Sequence, residues 1–385
     1  MLLEHDAKQL AQTRGLPVPK GVLFDRDGNT DSDQMPTAPW MVKAQVPVGG
    51  RGKAGAIVAA ENLEDVQRII SDLKNKSIHG HQINSFRVET CVDAEYEVFI
   101  SLSIDAAEKG IRVLVVEQGG VDVEAAADQD DGLNSVVVDL SLDALETAIV
   151  QTTQKLPAHL RDAVRSAAKR LAAFFLDTEA MLLEVNPLFV SKDGSWLLGD
   201  LKLAIDPSAL TRQPELLKII EGRPSAYHEQ IFKLEEGFDF IELDHHGKIG
   251  LLTTGAGLSM MLIDELLRAG RHPFNFCDIR SGQFKGSPER LVTALHRFTK
   301  APDITAVLVN IFAGITDLAD FARLLIEALE QVPEFKTPMV ARLVGNNFAE
   351  AKKLIAQSGF DIKVEEDLDN ALAIVGAVGE VRNVT

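Results

Sequence analysis

Along the first 235 residues the apolar positions come in short runs whose period keeps changing. Trp40 to Gln45 predicts a strand in which Lys43 sits among apolar neighbours, and Val46 to Gly55 follows as a glycine-rich turn. Tyr96 to Ser103 and Ile111 to Glu117 read as two strands of a hairpin around Asp105 to Gly110, and Arg87 to Glu89 as a shorter strand. Helical spacing appears over Leu63 to Leu73. It appears again over Arg161 to Phe175, where Val164, Ala167, Ala168, Leu171 and Phe174 share a face. Lys8 to Arg14 predicts a short helix ending at Gly15, ahead of Leu16-Pro17-Val18-Pro19.

Near residue 235 the pattern becomes regular. Asp206 to Phe238 is rich in Pro, Arg and Glu with little strand character and reads as a connector. Four strand–helix units are then predicted. Their strands are Lys248 to Thr253, Pro273 to Ile279, Ala306 to Phe312 and Pro338 to Leu343; their helices run to Ala269 and start near Pro288, Thr316 and Ala349. Such alternation means an α/β domain with a parallel sheet and right-handed crossovers, with ligands beyond the carboxyl ends of the strands. The expected division is residues 1–235 and 236–385.

The length of 385 residues gives each part enough chain to close a core. With 39 Lys and Arg against 57 Asp and Glu, the net charge of −18 argues against nucleic acid and anionic membranes as partners. No apolar run reaches the roughly 18 residues of a spanning helix. The acidic opening Met1 to Asp6 lacks the features of an export signal, so a cytoplasmic protein is expected. Cys91 and Cys277 are too few for a disulfide framework and read as half-buried apolar side chains. His245-His246 has no third ligand nearby in sequence to make a metal site.

Three stretches carry candidate chemistry. Lys43 must aim its amine at something polar. The four glycines of Gly49-Gly50-Arg51-Gly52-Lys53-Ala54-Gly55 let backbone N–H groups approach a phosphate, or make a basic surface turn. Leu182 to Leu203 reads as a hairpin closed by Lys192-Asp193-Gly194. Pairing Ser191 with Ser195 sets Asn186 opposite Asp200 and Glu184 opposite Lys202, while Leu183 and Val185 point into a core. Those oxygens suit Mg²⁺ completed by water and phosphate, or a solvated polar face. Lastly, Thr253-Thr254-Gly255-Ala256-Gly257 and Phe312-Ala313-Gly314-Ile315-Thr316-Asp317 each leave a strand and open a helix, as an anion site or as ordinary caps.

Taken together, Ala7-Lys8-Gln9-Leu10 with Gly15 to Pro19, Val42-Lys43 with Gly49 to Gly55, Gly119 to Glu124, Glu184-Val185-Asn186-Pro187-Leu188, Gly255-Ala256-Gly257-Leu258, Val307 to Phe312 and Arg342 to Asn347 resemble the β subunits of succinyl-CoA synthetase, within the ADP- or GDP-forming acyl-CoA synthetases. The resemblance implies an N-terminal ATP-grasp domain and a flavodoxin-like parallel-sheet ligase domain. It puts Lys43, Gly50, Arg51 and Gly52 on the phosphates of ATP or GTP, and Glu89, Val92 and Glu97 on its base and ribose. Asn186 and Asp200 fall on the Mg²⁺ ligands, and Glu184 on the residue that orients a phosphorylated histidine. Thr254, Gly314, Ile315 and Thr316 fall on the acyl substrate. The histidine and most of the CoA site then belong to a separate α subunit.

Departures cluster at the acyl positions: Thr254 replaces the family's Asn, Asp278-Ile279-Arg280-Ser281-Gly282 replaces a glycine-rich turn, and Asp317-Leu318-Ala319 replaces Arg-Cys-Asp. They suggest an altered small carboxylate with Arg280 as its anion anchor. A stand-alone ATP-grasp carboxylate–amine ligase and a non-catalytic nucleotide sensor remain as alternatives.

Overall fold

Leu2, Leu3, Ala7, Leu10 and Ala11 are buried, and they draw the helix Glu4–Thr13 against β12 (Leu201–Ile205), where Leu2 N–H donates to Leu203 O at 2.9 Å. The structure, a computed structural model, describes residues 1–30, 35–120, 135–280, 286–314 and 317–381. It divides into two compact units, Met1–Ala226 and Tyr227–Thr385.

In the first unit, β1 (Gly21–Asp25), β2 (Trp40–Ala44), β3 (Ile57–Ala60) and β6 (Ser85–Thr90) form a sheet in the order β1-β6-β2-β3. Trp40, Val42, Ala44, Phe86 and Val88 face a core shared with the helix Leu63–Leu73, whose Val66, Ile69, Ile70 and Leu73 are buried. The two-residue β4 (Ser77–Ile78) and β5 (His81–Gln82) pair beside it. Because side chains alternate along a strand, Met41, Lys43, Arg87 and Glu89 all face the opposite side.

The second sheet of this unit joins β7 (Tyr96–Asp105), β8 (Gly110–Val116), β9 (Ser135–Val138), β10 (Ala180–Val190), β11 (Trp196–Leu198) and β12. Helices Leu142–Thr153 and Ala158–Asp177 pack on it, the latter burying Val164, Ala167, Ala168, Leu171 and Phe174 as its spacing requires. The expected hairpin register holds: Val190 pairs with Trp196, Leu188 with Leu198, Val185 with Leu201 and Glu184 with Lys202. Gly194 takes the left-handed conformation, φ 82°, that a three-residue loop of this kind demands.

The segment expected as a connector is largely helical. Pro207 and Pro214 occupy first helical positions, where a missing N–H is harmless, and so start the 3₁₀ helix Pro207–Arg212 and the helix Pro214–Glu221 rather than breaking them. The units divide at Ala226/Tyr227 rather than at 235, because the helix His228–Glu236 packs on β13 (Asp239–Glu242) of the second unit.

The second unit holds β14 (Ile249–Thr253), β15 (Asn275–Asp278), β16 (Ala306–Ala313), β17 (Met339–Gly345) and β18 (Ile362–Glu365), with parallel pairing in the order β14-β16-β17-β18. The last strand and the helix Leu368–Val381 form a fifth unit beyond the four expected. β15 lies beside β14 outside the ladder and pairs with β13. The buried Asn275 explains this: its amide accepts from Leu251 N at 2.8 Å and donates to Leu251 O at 2.9 Å, standing in for a backbone pair. The resulting order, β15-β14-β16-β17-β18, is the flavodoxin-like 2-1-3-4-5 arrangement, whose ligand position lies where the order reverses, beside β14 and β16.

Candidate functional site

The faces left free by strand alternation meet in the first unit around a cavity of about 440 Å³. Lys43, Gly50, Arg51, Gly52, Glu89, Val92, Glu97, Glu184, Asn186 and Asp200 all line it, as do Lys53, Lys202 and the exposed Cys91, which had been expected half-buried.

A buried ion cluster forms its floor. Lys43 Nζ contacts Glu89 Oε1 at 2.6 Å and Glu4 Oε1 at 3.0 Å, and donates to Gly199 O at 2.7 Å. Arg51 donates to Glu4 at 2.7 Å and grips both oxygens of Asp200 at 2.8 and 2.7 Å. Below them Lys8, wholly buried, contacts Glu4 at 2.7 Å and Glu89 at 2.8 Å and shares Gly199 O. Gly199 carries no side chain because a Cβ would stand 2.5 Å from the Phe189 ring. Arg87 donates to Glu89 at 2.6 Å. Four cations thus face three carboxylates in this floor, Lys8 and Arg87 from behind it, while the cavity lining sets Lys43, Arg51, Lys53 and Lys202 against Glu4, Glu89, Glu97, Glu184 and Asp200.

Burial alone would push Glu4 up, but Lys43, Lys8 and Arg51 outweigh it and hold the carboxyl well below its usual range; Glu89 is lowered for the same reason. Burial would lower Lys43 as well, and Glu4 and Glu89 raise it above an ordinary lysine. Lys8, enclosed more fully, is lowered by burial. His5 is depressed to about 3 by burial and by Arg87, whose Nη1 donates to its Nδ1 at 3.0 Å.

These directions fix the acid dependence. His5 stays neutral when folded but takes a proton near pH 6.5 when unfolded, so stability is lost as pH falls from about 6.5 toward 3. Glu4 and Glu89 contribute fully above the unfolded value near 4.5, and that contribution is lost as pH falls through their lower folded values. Urea titrations should therefore show stability declining first between pH 6.5 and 5, with His5→Asn flattening that first segment; a profile level down to pH 5 would contradict the assignment.

On the facing wall, Glu184 stands opposite Lys202 with 3.7 Å between their charges. Asn186 is oriented by Gly120, accepting its N–H at 2.7 Å and donating to its carbonyl at 3.0 Å. Asn186 and Asp200 offer hard oxygens of the type that suits Mg²⁺. Among the described residues no three His, Cys, Asp or Glu groups gather as a metal cage. The donor set fits a magnesium ion that completes its shell with phosphate oxygens and water.

In the second unit, Thr254, Arg280 and Gly314 lie at or just beyond the carboxyl ends of β14, β15 and β16, whereas Ile315 and Thr316 fall outside the described residues. Among the described residues, buried Thr254 Oγ1 and Asn310 Nδ2 have no hydrogen-bond partner. Arg280 is not a free anchor: its Nη2 donates to Asp239 at 3.1 Å, and Asp239 also holds Lys233 at 2.7 Å. Sequence reasoning missed Glu4, Lys8 and Arg87. Their signal was charges four apart beside an apolar helix stripe, and an Arg two positions before Glu89 on the same strand face.

Both units match known domain families, an ATP-grasp domain over residues 1–190 and a CoA-ligase domain over residues 252–378. These matches, with the fold, place the chain among the ATP-grasp CoA ligases. The chain is 32% identical to the succinate–CoA ligase (ADP-forming) subunit beta of Ignicoccus hospitalis over 374 residues, 96% of each chain. Identity to that of Chloroflexus aurantiacus is 34% over 364 residues, 93% of each. It belongs to the family of succinate–CoA ligase (ADP-forming) β subunits. A solved ATP citrate lyase from Methanothrix soehngenii shares the fold at 20% identity, with a TM-score of 0.74 over 98% of this chain and 99% of that one. Among the described residues no helix is long and apolar enough to cross a membrane.

Proposed function

We propose that this chain is the nucleotide-binding subunit of a heteromeric carboxylate–CoA ligase that works with an α subunit carrying the phosphorylated histidine and most of the CoA site. Phosphate passes from ATP, or GTP, to that histidine and then to succinate or a related small carboxylate; CoA displaces it to leave the thioester. The observation that carries this reading is the convergence of Lys43, Arg51, Glu89, Glu184, Asn186 and Asp200 on one cavity beside the glycine loop.

Lys43, Arg51 and the backbone of Gly50 and Gly52 take the nucleotide phosphates, with Gly50 at φ 80° in a conformation that favours glycine. Glu89, Glu97 and Val92 take the ribose and base. Asn186 and Asp200 would hold Mg²⁺, which would neutralise phosphate oxygens; Arg51 must release Asp200 for this. Glu184 orients the incoming imidazole. Thr254, Gly314, Ile315 and Thr316 serve the acyl substrate, and Arg280 joins them by exchanging Asp239 for the substrate carboxylate.

The test mixes the chain with its α partner and ³²P-labelled ATP or GTP, then follows thioester formation over a panel of carboxylates. Acid-labile label on the α chain is expected. Arg280→Ala should leave labelling intact and raise the carboxylate KM by roughly tenfold, the loss of about one charge-assisted contact. Tight nucleotide binding without label would leave a nucleotide sensor instead. An unchanged carboxylate KM would remove Arg280 from the acyl site.

A further inference from the structure

Four cations line the cavity; Lys53 is exposed on the glycine loop, and the other three differ in how firmly carboxylates hold them. Lys43 and Arg51 each contact two carboxylates at 3.0 Å or closer, and their side chains are only 8% accessible. Lys202 is different. Among the described residues its one carboxylate contact, Glu184, stands at 3.7 Å, beyond hydrogen-bond length, and its side chain is 29% accessible.

Its position is nonetheless fixed. The ladder pairs Glu184 with Lys202, flanked by the buried pairs Leu183–Leu203 and Val185–Leu201, so both side chains must rise from the same face into the cavity. The ammonium also lies against the glycine loop, since a Cβ on Gly49 would stand 3.6 Å from Lys202 Nζ. Lys202 therefore bridges the place where phosphate enters and the carboxylate that meets the imidazole.

We propose that Lys202 is a catalytic residue whose ammonium contacts the phosphoryl group during its transfer from nucleotide to the α-subunit histidine. This rests on the function proposed above. The P–O bond to the leaving nucleoside diphosphate breaks as a P–N bond to one nitrogen of the neutral imidazole forms. The electron pair leaves with the diphosphate, and the other ring N–H stays in place, donated to Glu184. Glu184 thereby loosens its hold on Lys202 as the imidazole arrives. Negative charge spread over the three oxygens of the migrating group needs a cation not already neutralised, and Lys202 meets that need better than Lys43 or Arg51.

Single-turnover transfer of ³²P from saturating Mg-ATP to the α chain, measured on the assembled complex, tests this. Lys202→Met should slow transfer by about 10²-fold or more, the usual loss for one donor to developing charge. Mg-ADP affinity, measured calorimetrically on the same complex, should stay within about threefold. Lys202→Arg, which keeps the charge, should recover about tenfold of the loss, and Lys202→Gln serves as the second neutral variant should the methionine protein fail to fold. Transfer within about threefold of the unsubstituted rate in a neutral variant, or a loss that vanishes on adding nucleotide, would overturn the proposal. A Lys202 that only steadies Glu184 predicts equal rates for Glu184→Gln and the Glu184→Gln/Lys202→Met pair; a further drop in the pair is expected instead. An unsubstituted complex that takes no label would overturn the function reading with it, whereas label retained in the Lys202 variants overturns this assignment alone.

Discussion

Asp200→Ala should abolish transfer of labelled phosphate to the α subunit, with a loss of at least about 10³-fold. Asp200 is one of the two residues proposed to hold the magnesium ion, and both its oxygens accept from Arg51 Nη2. The variant loses the oxygens proposed for the metal and leaves Arg51 with Glu4 at 2.7 Å and Ala44 O at 3.1 Å. Some loss of stability should accompany this, because the buried Arg51 keeps Glu4 and Ala44 O on Nη1 while Nη2 gives up both bonds to Asp200. The measurement combines label transfer with a magnesium titration of nucleotide binding. Loss of transfer together with a much higher magnesium requirement is expected; normal transfer at ordinary magnesium would remove Asp200 from the site.

Lys8→Met should be the most damaging single change to stability. Lys8 is wholly buried between Glu4 and Glu89, and its removal leaves those two carboxylates with Lys43, Arg51 and Arg87 alone. Breaking a buried pair from one side typically costs about 3–5 kcal/mol, a large part of the roughly 5–15 kcal/mol that holds a domain together. At about 2–4 °C per kcal/mol for a unit of this size, Tm should fall by roughly 6–20 °C. With less opposing positive charge the Glu4 and Glu89 carboxyls move upward, so acid unfolding should begin at higher pH than in the unsubstituted chain. A Tm within about 2 °C of the parent would mean that Lys8 is not the keystone assigned to it.

Much of the site was legible because strand arithmetic is rigid. One glycine at the end of a three-residue loop determines which residues face each other across β10, β11 and β12, and so places Glu184 opposite Lys202 before any coordinates are known. Lys43 was legible because a lysine in an apolar strand has to reach a polar partner. Residues 4–8 were not. Their charges meet partners some 40 to 190 positions away, and nothing local in the sequence announces that a helix will bury Glu4 and Lys8 rather than solvate them. Position 275 misleads for a related reason: its side-chain amide replaces a backbone pair, which moves β15 out of the ladder that its apolar pattern suggests. The helices after Pro207 and Pro214 were obscured because a proline that starts a helix and one that stops it look alike without the flanking turn.

The bond from Lys8 to Gly199 O spans 191 positions. During synthesis, residues 2–8 leave the ribosome long before their partners on β12 exist, so the charged floor of the cavity cannot close until the chain has emerged past Leu203. At about 5–20 residues per second, that wait is roughly 10–40 s. Over this interval the segment must stay hydrated, because Glu4 and Lys8 have no low-dielectric setting to enter without Glu89 and Gly199. Completion of the first unit is thus a late event imposed by topology, and a nascent chain stalled before residue 199 should not retain a nucleotide column, whereas one stalled well beyond Ala226 should.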